Sequence, residues 1–583
     1  MSSNSRKQDV YDIYEALVKA LKKINKINSY SKEFSEIREN YEKVNSVEEL
    51  LVKYQFIERI GLKVTLRLEK SNEKSIAFRK EGNEYFSLEK QNYFKALELY
   101  NKSICFAQPN SENISIGYAN RSAVLFEWKR YKECLYNIEL ARKYNYPERL
   151  IHKLNKREAN CRALLNNQVS NTKPYDFKLS FEKHPQVPFI ADCLDLQYTK
   201  EAGRYIISKK DLSPGDLVSI EKAFCSVLLP PMRYIRCANC KEENYFTLIP
   251  CVECTSAMFC SEKCQIEANK EFHQFECPII DMLNNIFNKI HWTALRVTLT
   301  ALTLFENIDE CISFCRNPQN LSQCSFTLDY SNFDRKEYYK AIHGLVTNQC
   351  KRTLDDLFQR SVIAAVLKNF LLNHSPLKDY LGGNEGENVF VELLFRHLQT
   401  SPSNMHSVDL IEQKNETNDD QCFASAAYGF GSLLNHSCAP NTVRIYKGTT
   451  TYLFILRPIK ANETLYDNYG YHYATKRREL RQKKLETQYR FKCSCEACKY
   501  DYPLFEKLPV PTEVPDEVEY DDITSLMSYD FQYALSNYKR YYEFLNRFSK
   551  YYPCAQISAA EESLKMALNI LVDAVPLKAK RNC

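Results

Sequence analysis

The sequence has no run of about eighteen apolar residues, so a helix that spans a membrane is not expected. It has no signal-peptide core at its start. "MSSNSRKQDVYDIYEALVKALKK" spaces its apolar residues as a helix does, and export is not expected. It also lacks a strong charge of one sign. Against 79 basic residues stand 73 acidic ones, a net +6 over 583 residues, which is weak for a nucleic-acid binder. Hydrophobic residues at 44% and charged residues at 26% describe a globular chain long enough for several domains. Cysteine is what the sequence has in quantity: 23 residues, many in C-x-x-C spacings. Without an export signal, those spacings point to metal thiolates in a reducing compartment rather than to disulfides. The scattered remainder read as buried free thiols.

Residues 1–75 read as charged amphipathic helices. From 76 to 166 a helical repeat of tetratricopeptide-like spacing is predicted. "FRKEGNEYFSLEKQNYFKALELYNKSI" sets Gly82, Tyr85, Ala96 and Tyr100 where packed helices alternate small and large residues, and Ala119, Ala123, Tyr131 and Leu135 repeat the theme. A third pair is less complete, and an ordinary helical bundle is the plain alternative. Such repeats commonly dock peptides on their concave side. Residues 166–190 read as a polar linker with prolines. "GRYIISKKDLSPGDLVSIEKAFCSVLL" reads as a β-hairpin or meander around the turn Ser213–Asp216. The stretch 278–400 is helical in pattern. Strand texture returns in "NTVRIYKGTTTYLFILRPIKANETLYDNYG", and a charged helix, "ATKRRELRQKKLETQ", follows. "YPLFEKLPVPTEVPDEVEYDD" reads as a linker. The end of the chain is helical and tyrosine-rich, with a short basic tail.

One segment carries Cys237, Cys240, Cys251, Cys254, Cys260, Cys264, His273 and Cys277, spaced C-x2-C-x10-C-x2-C-x5-C-x3-C-x8-H-x3-C. Eight ligand-type residues suffice for two tetrahedral zinc sites with no position left open to water, which makes them structural. So short a segment with so few apolar residues draws its folding energy from the metals. The spacing resembles a MYND zinc finger, over 237–277. That resemblance implies interleaved pairs: Cys237, Cys240, Cys260 and Cys264 share one zinc, and Cys251, Cys254, His273 and Cys277 the other. It also implies a module that binds proline-containing peptides.

A cysteine triplet, Cys493, Cys495 and Cys498, lies downstream and is one ligand short. Cys438, in "LLNHSCAPN", is the most economical fourth; packing residue and nucleophile are the other readings of that thiol. The order of motifs is a β-rich segment split by the finger, then "LLNHSCAPN", then "DNYG", then C-x-C-x2-C. It resembles the SET and MYND domain-containing lysine methyltransferases, over roughly residues 76 to 500, and the N-terminal repeats resemble the repeat-bearing subgroup of that family.

The resemblance implies an α+β multidomain chain. Its parts are a SET N-terminal part at 190–236, the finger, a helical SET insert at 278–400, a SET core at 401–470, a Cys-rich post-SET segment at 471–500, and linker with C-terminal helices at 501–583. It implies methyl transfer from S-adenosyl-L-methionine to lysine of histone or non-histone proteins, with three zinc ions in all. Asn435 and His436 match the family's cofactor-binding pair, with Ser432 and Leu434 beside them. Ala202, Gly203 and Arg204 match the opening cofactor loop. Asn404 matches a contact to the cofactor's amino-acid portion, Phe491 an aromatic that packs on adenine, and Tyr469 the catalytic tyrosine, which the resemblance also counts among the cofactor-binding residues. An apolar channel would favour the neutral amine, and orientation is worth on the order of 7–11 kcal/mol in such a displacement.

Two residues depart from the family pattern. Tyr205 stands where many members carry a second glycine, and Thr464 where they usually carry an acid. The competing reading is therefore a catalytically weak or inactive adaptor, whose repeats and finger hold partners such as histone deacetylase corepressors. A zinc-dependent DNA binder fits poorly, since the finger is not notably basic. Residence in nucleus and cytoplasm is the expectation. "KRRELRQKK" reads as a solvated helix face rather than an import signal.

Overall fold

The computed structural model describes residues 9–165, 175–409 and 422–578. The first eight residues, part of the expected linker at 166–174 and the basic tail at 579–583 lie outside the described residues. Among the described residues, no helix is long and apolar enough to cross a membrane. The chain divides into two units, each assembled from three stretches: 1–172, 227–312 and 353–398 in the first, and 173–226, 313–352 and 399–583 in the second. The segment 278–400, expected as one helical insert, is thus shared between the units.

In the first unit, helix Val10–Lys23 buries Val10, Ile13, Leu17 and Leu21, one stripe at helical spacing. It packs on helix Leu354–His374, as does helix Asn40–Lys53. Five further helices follow: Asn72–Phe86, Tyr93–Phe106, Glu112–Glu127, Tyr131–Lys143 and Ile151–Leu165. Each packs on the next. Gly82 shows why small residues recur here. A Cβ at that position would lie 2.6 Å from the Tyr100 ring.

Several buried polar side chains of these helices bond to the segment that follows them. Asn101 Nδ2 donates to the carbonyls of Tyr234 (2.8 Å) and Tyr245 (3.2 Å). The fully buried Arg121 donates to Asn101 Oδ1 at 2.7 Å, Asn137 Oδ1 at 2.6 Å and the Leu248 carbonyl at 2.8 Å. Asn137 Nδ2 holds the Phe246 carbonyl at 2.8 Å. Phe94 meets Tyr245 edge-on at 4.9 Å, and the Arg130 guanidinium lies 4.1 Å above Phe246. Asn101, Arg121 and Asn137 thus hold backbone carbonyls of the cysteine-rich segment and of Tyr234 just ahead of it. Replacing Arg121 with methionine leaves three buried acceptors without this donor. At roughly 1–3 kcal/mol each, the first unit should lose about 3 kcal/mol, visible as a lower denaturation midpoint. An unchanged midpoint would mean that water substitutes for the guanidinium.

In the second unit, strand Leu194–Thr199 pairs antiparallel with Gly203–Ser208, Thr199 opposite Gly203. Strand Leu217–Lys222 does not complete a hairpin with Gly203–Ser208 across the turn Ser213–Asp216. It pairs with Thr450–Ile455, which pairs in turn with Thr442–Lys447. The turn is held from outside: Gly215 N–H donates to the Ile455 carbonyl, and Leu212 and Ile459 exchange backbone bonds. Met405–Asp409 pairs with Cys422–Ala427, and the two-residue strands Asn435–His436 and Tyr466–Asp467 run parallel.

Helices Phe531–Phe548 and Ala555–Leu571 cover this sheet. Leu545, Ile557, Leu564 and Leu568 join Leu217, Ile445 and Phe454 in one core. Each such side chain is worth roughly 1.5–3 kcal/mol on burial. The proline-rich segment expected as a linker is packed, not loose. Leu508 and Val514 are buried, Pro509 O accepts Ala555 N–H, and Gln556 Nε2 donates to the carbonyls of Pro511 and Val514. The segment makes few internal hydrogen bonds, Val514 N–H to the Pro511 carbonyl among them, and the helix beside it satisfies other carbonyls.

Candidate functional site

The site forms where the chain turns into "LLNHSCAPN". Glu221 sits on an inward position of strand Leu217–Lys222 and is fully buried. It accepts from Phe430 N–H (2.8 Å), Gly431 N–H (2.9 Å) and the Tyr338 hydroxyl (2.6 Å), which clamps the turn ahead of the motif. Burial pushes its pKa up, and these donors oppose the shift. Beyond the turn, Asn435 pairs with Tyr466 and His436 with Asp467. That parallel step carries Tyr469 back onto the motif. Its backbone N–H donates to His436 Nδ1 at 3.0 Å, and its hydroxyl donates to the Leu434 carbonyl at 2.7 Å. The two rings lie 5.1 Å apart.

The other candidate residues gather from distant segments of the same unit. Asn435 Nδ2 donates to the Ala202 carbonyl at 3.0 Å. Gly203 has φ +67° and no atom near a notional Cβ, so glycine is needed there for backbone conformation rather than for space. The Arg204 guanidinium points elsewhere, onto the carbonyls of Gln323 and Gly344. Ser432 Oγ lies 2.8 Å from the Asn404 carbonyl. Asn404 itself ends helix Asn384–Asn404, and its Nδ2 donates to the Thr400 and Val346 carbonyls. Phe491 lies 6.2 Å from the His436 ring. Tyr489, which the sequence reading passed over, stacks at 4.7 Å on Tyr469 and donates to its carbonyl at 3.4 Å. Nothing in the spacing of "ETQYRFKC" marks it, because the helix that ends at Tyr489 delivers it only through the tertiary fold.

Burial holds the His436 pKa down at about 4, so the ring is neutral at pH 7. Its Nδ1 accepts from Tyr469, which leaves the proton on Nε2. That atom lies 3.4 Å from Cys438 Sγ and can donate to a thiolate there. Burial, with Asp467 adding to it, raises the Tyr469 pKa well above the ordinary phenol value. The phenol therefore stays protonated and cannot serve as a base near neutrality. Asp467 is itself buried and paired with Arg444 at 2.5 Å.

Three groups of potential metal ligands occur among the described residues: Cys237, Cys240, Cys260 and Cys264; Cys251, Cys254, His273 and Cys277; Cys438, Cys493, Cys495 and Cys498. Their separations decide between disulfide and metal. Cys240 and Cys260 sulfurs are 3.7 Å apart, Cys251 and Cys277 3.9 Å, Cys438 and Cys498 3.6 Å, and Cys438 and Cys493 4.0 Å. A disulfide needs about 2.05 Å. A tetrahedral ion with metal–sulfur bonds of ~2.3 Å needs ~3.8 Å between sulfurs. The backbone N–H groups of Asn239 and Glu253 point at Cys237 and Cys251 sulfurs (3.4 Å each), and that of Cys438 at the Cys495 sulfur (3.4 Å). Such donors stabilise thiolates. In the third group the buried Arg481 brings Nη2 to 3.8 Å from Cys498 Sγ. The basic run that reads as a solvated face thus turns one arginine inward, toward anionic sulfur.

Residues 237–277 match the MYND finger family. Over 514 residues the chain is 26% identical to Protein-lysine N-methyltransferase SMYD4 of Danio rerio, spanning 76% of this chain and 68% of that protein. The Homo sapiens protein of the same name is 25% identical over 546 residues, with 74% and 67% covered. Over about three quarters of its length the chain is similar to SET and MYND domain proteins. SET domain-containing protein 3 of Caenorhabditis elegans is 23% identical over 352 residues, 59% of this chain and 69% of that one. Among solved structures, the SET domain of LSMT bound to lysine and AdoHcy aligns at 10% identity, 71% of this chain and 89% of that chain, with a TM-score of 0.23.

Of the two departures from the SET and MYND pattern, Tyr205 lies on a strand and Thr464 at an isolated bridge just ahead of Tyr466–Asp467. Tyr205 pairs with Gln197 in the first hairpin and is half-buried. Thr464 bridges Ile207, and its carbonyl accepts Asn441 Nδ2 at 2.9 Å. Both contacts of Thr464 are made by its backbone. Two residues that sequence reasoning missed hold the frame: Glu221, described above, and Arg457, whose guanidinium donates to the Pro440 carbonyl at 3.1 Å.

Proposed function

We propose that the chain is a protein-lysine N-methyltransferase that uses S-adenosyl-L-methionine, with three structural zinc ions. The supporting observation is the junction of Tyr469 with the Leu434–His436 backbone. One phenol, held neutral by burial, reaches the motif that matches the family's cofactor pair. S-adenosyl-L-methionine supplies an electrophilic methyl group on a sulfonium. The nitrogens of the Asn404 and Asn435 amides are committed to carbonyls, which leaves Oδ1 of each to accept from an ammonium. Phe491 offers a flat apolar face beside His436 for a purine. Tyr469 orients the incoming amine through its hydroxyl, and its neutral state makes that role electrostatic. The relatives' name, protein-lysine N-methyltransferase, agrees with this chemistry.

The eight finger ligands and the Cys438 cluster would each hold zinc with every position filled by protein, so the metal fixes structure and takes no part in transfer. The finger is read as the docking module for peptide segments of partner proteins. The tetratricopeptide-like helices are a second surface for peptide partners, with Asn101, Arg121 and Asn137 committed to the finger backbone.

Titration calorimetry of the zinc-loaded chain with S-adenosyl-L-methionine tests the proposal. Saturable heat is expected, and Asn435→Ala should weaken it about tenfold, since one polar contact to a charged group is worth about 1.4 kcal/mol. A folded, zinc-loaded sample that gives no heat would favour the adaptor reading, which rests on the departures at Tyr205 and Thr464.

A further inference from the structure

Behind the Ser432–Asn404 contact lies a buried chain of side chains that the proposed reaction leaves unused. Arg444, on strand Thr442–Lys447, pairs with Asp467 at 2.5 Å and turns its other terminal nitrogen onto His406 Nδ1. His406 Nε2 lies 3.1 Å from Ser432 Oγ. The ring is buried and meets Tyr428 edge-on at 5.4 Å. A guanidinium has only donors, so Nδ1 must accept and the imidazole proton sits on Nε2. That proton goes to Ser432 Oγ. The serine's own proton then goes to the carbonyl of Asn404 (2.8 Å) or Tyr428 (2.7 Å). Every bond in the chain has one permitted direction, set by Arg444.

Both ends of the chain reach the candidate site. Asp467 is the strand partner of His436, and Ser432 and Asn404 are themselves candidate cofactor contacts. A buried ion pair is a poor way to gain stability, because apolar residues of similar volume often do as well or better. Its use here is to impose direction. Burial and the facing guanidinium both push the His406 pKa far down, which agrees with a neutral ring.

We infer that Arg444 and His406 are positioning residues of the cofactor site: the guanidinium selects the imidazole tautomer, and the imidazole holds Ser432 against the Asn404 backbone. The inference rests on the methyltransferase reading above. Calorimetry of the full zinc-loaded chain with S-adenosyl-L-methionine and with S-adenosylhomocysteine tests it, alongside turnover at saturating cofactor. His406→Leu should weaken both ligands about tenfold while turnover at saturation changes less than threefold. His406→Gln, which keeps one acceptor and one donor, should return affinity to within threefold of wild type. The double variant Arg444→Leu, Asp467→Leu removes the ion pair without stranding a charge. It should melt close to wild type yet bind about tenfold more weakly, because His406 has lost its donor. Wild-type affinity in both the double variant and His406→Leu would overturn the inference, leaving the pair a packing feature only. A wild-type chain that binds neither ligand would instead remove the methyltransferase reading, and the inference with it.

Discussion

Tyr469→Phe should lower methyl transfer at saturating cofactor by about a hundredfold, leave cofactor affinity within threefold, and leave the fold intact. The hydroxyl removed makes one hydrogen bond, to the Leu434 carbonyl at 2.7 Å, worth about 1 kcal/mol of stability. The ring contacts to His436 and Tyr489 remain in the variant. Loss of a group aimed at charge that develops in the transition state costs about 10²–10³ in rate. Cofactor binding, by contrast, draws on the Asn404 and Asn435 amides, and the variant removes from their surroundings only the one bond to the Leu434 carbonyl. Single-turnover transfer of a labelled methyl group to lysine-bearing protein, run beside calorimetry, separates the two effects. Transfer at the wild-type rate would show that the phenol does not act on the reacting amine. Equal loss of binding and transfer would point to a collapsed site instead.

Cys438→Ser should have the other large effect. Zinc content should fall from three to two per chain, measured by elemental analysis of the purified protein. Structural zinc contributes about 10–16 kcal/mol in isolated finger peptides, so the loss should also unfold the segment around Cys493–Cys498. Its consequences reach the site through one ring. His436 donates through Nε2 toward Cys438 Sγ and accepts Tyr469 N–H at Nδ1, so the cluster and the tyrosine share an anchor. Transfer should therefore fall by at least as much as in Tyr469→Phe, although residue 438 touches no substrate. A count of three zinc ions in the variant would assign the fourth ligand elsewhere. Arg481→Met is the milder companion. It removes the buried cation beside Cys498 and should loosen the third zinc without abolishing it, seen as faster loss to a chelator.

Much of the fold was legible because its signals are local. Helical stripes such as Val10, Ile13, Leu17 and Leu21 repeat at the spacing of the element they form. Cysteines two residues apart advertise a metal knuckle for the same reason. What failed was pairing. The turn Ser213–Asp216 looks like a hairpin because strands flank it, yet strand Leu217–Lys222 takes Thr450–Ile455, far along the chain, as its partner. Alternation tells that a strand exists and says nothing about its neighbour. Proline-rich sequence between Tyr502 and Asp522 reads as a linker because it lacks periodicity. It packs nevertheless, since helix Ala555–Leu571 satisfies its carbonyls.

By itself the sequence determined the ligand inventory, the order of motifs and the likeness to a methyltransferase family, all matters of residue type and spacing. Only the tertiary structure decided three further things. It set Asn101, Arg121 and Asn137 of the repeat helices against the backbone of the finger. It brought Glu221, Arg444 and His406 beneath the Asn-His motif. It turned Arg481 toward a thiolate. Each places a buried charge, and a buried charge is tolerable only where hydrogen-bonding partners from distant segments converge on it. That convergence has no signature in any one stretch of sequence.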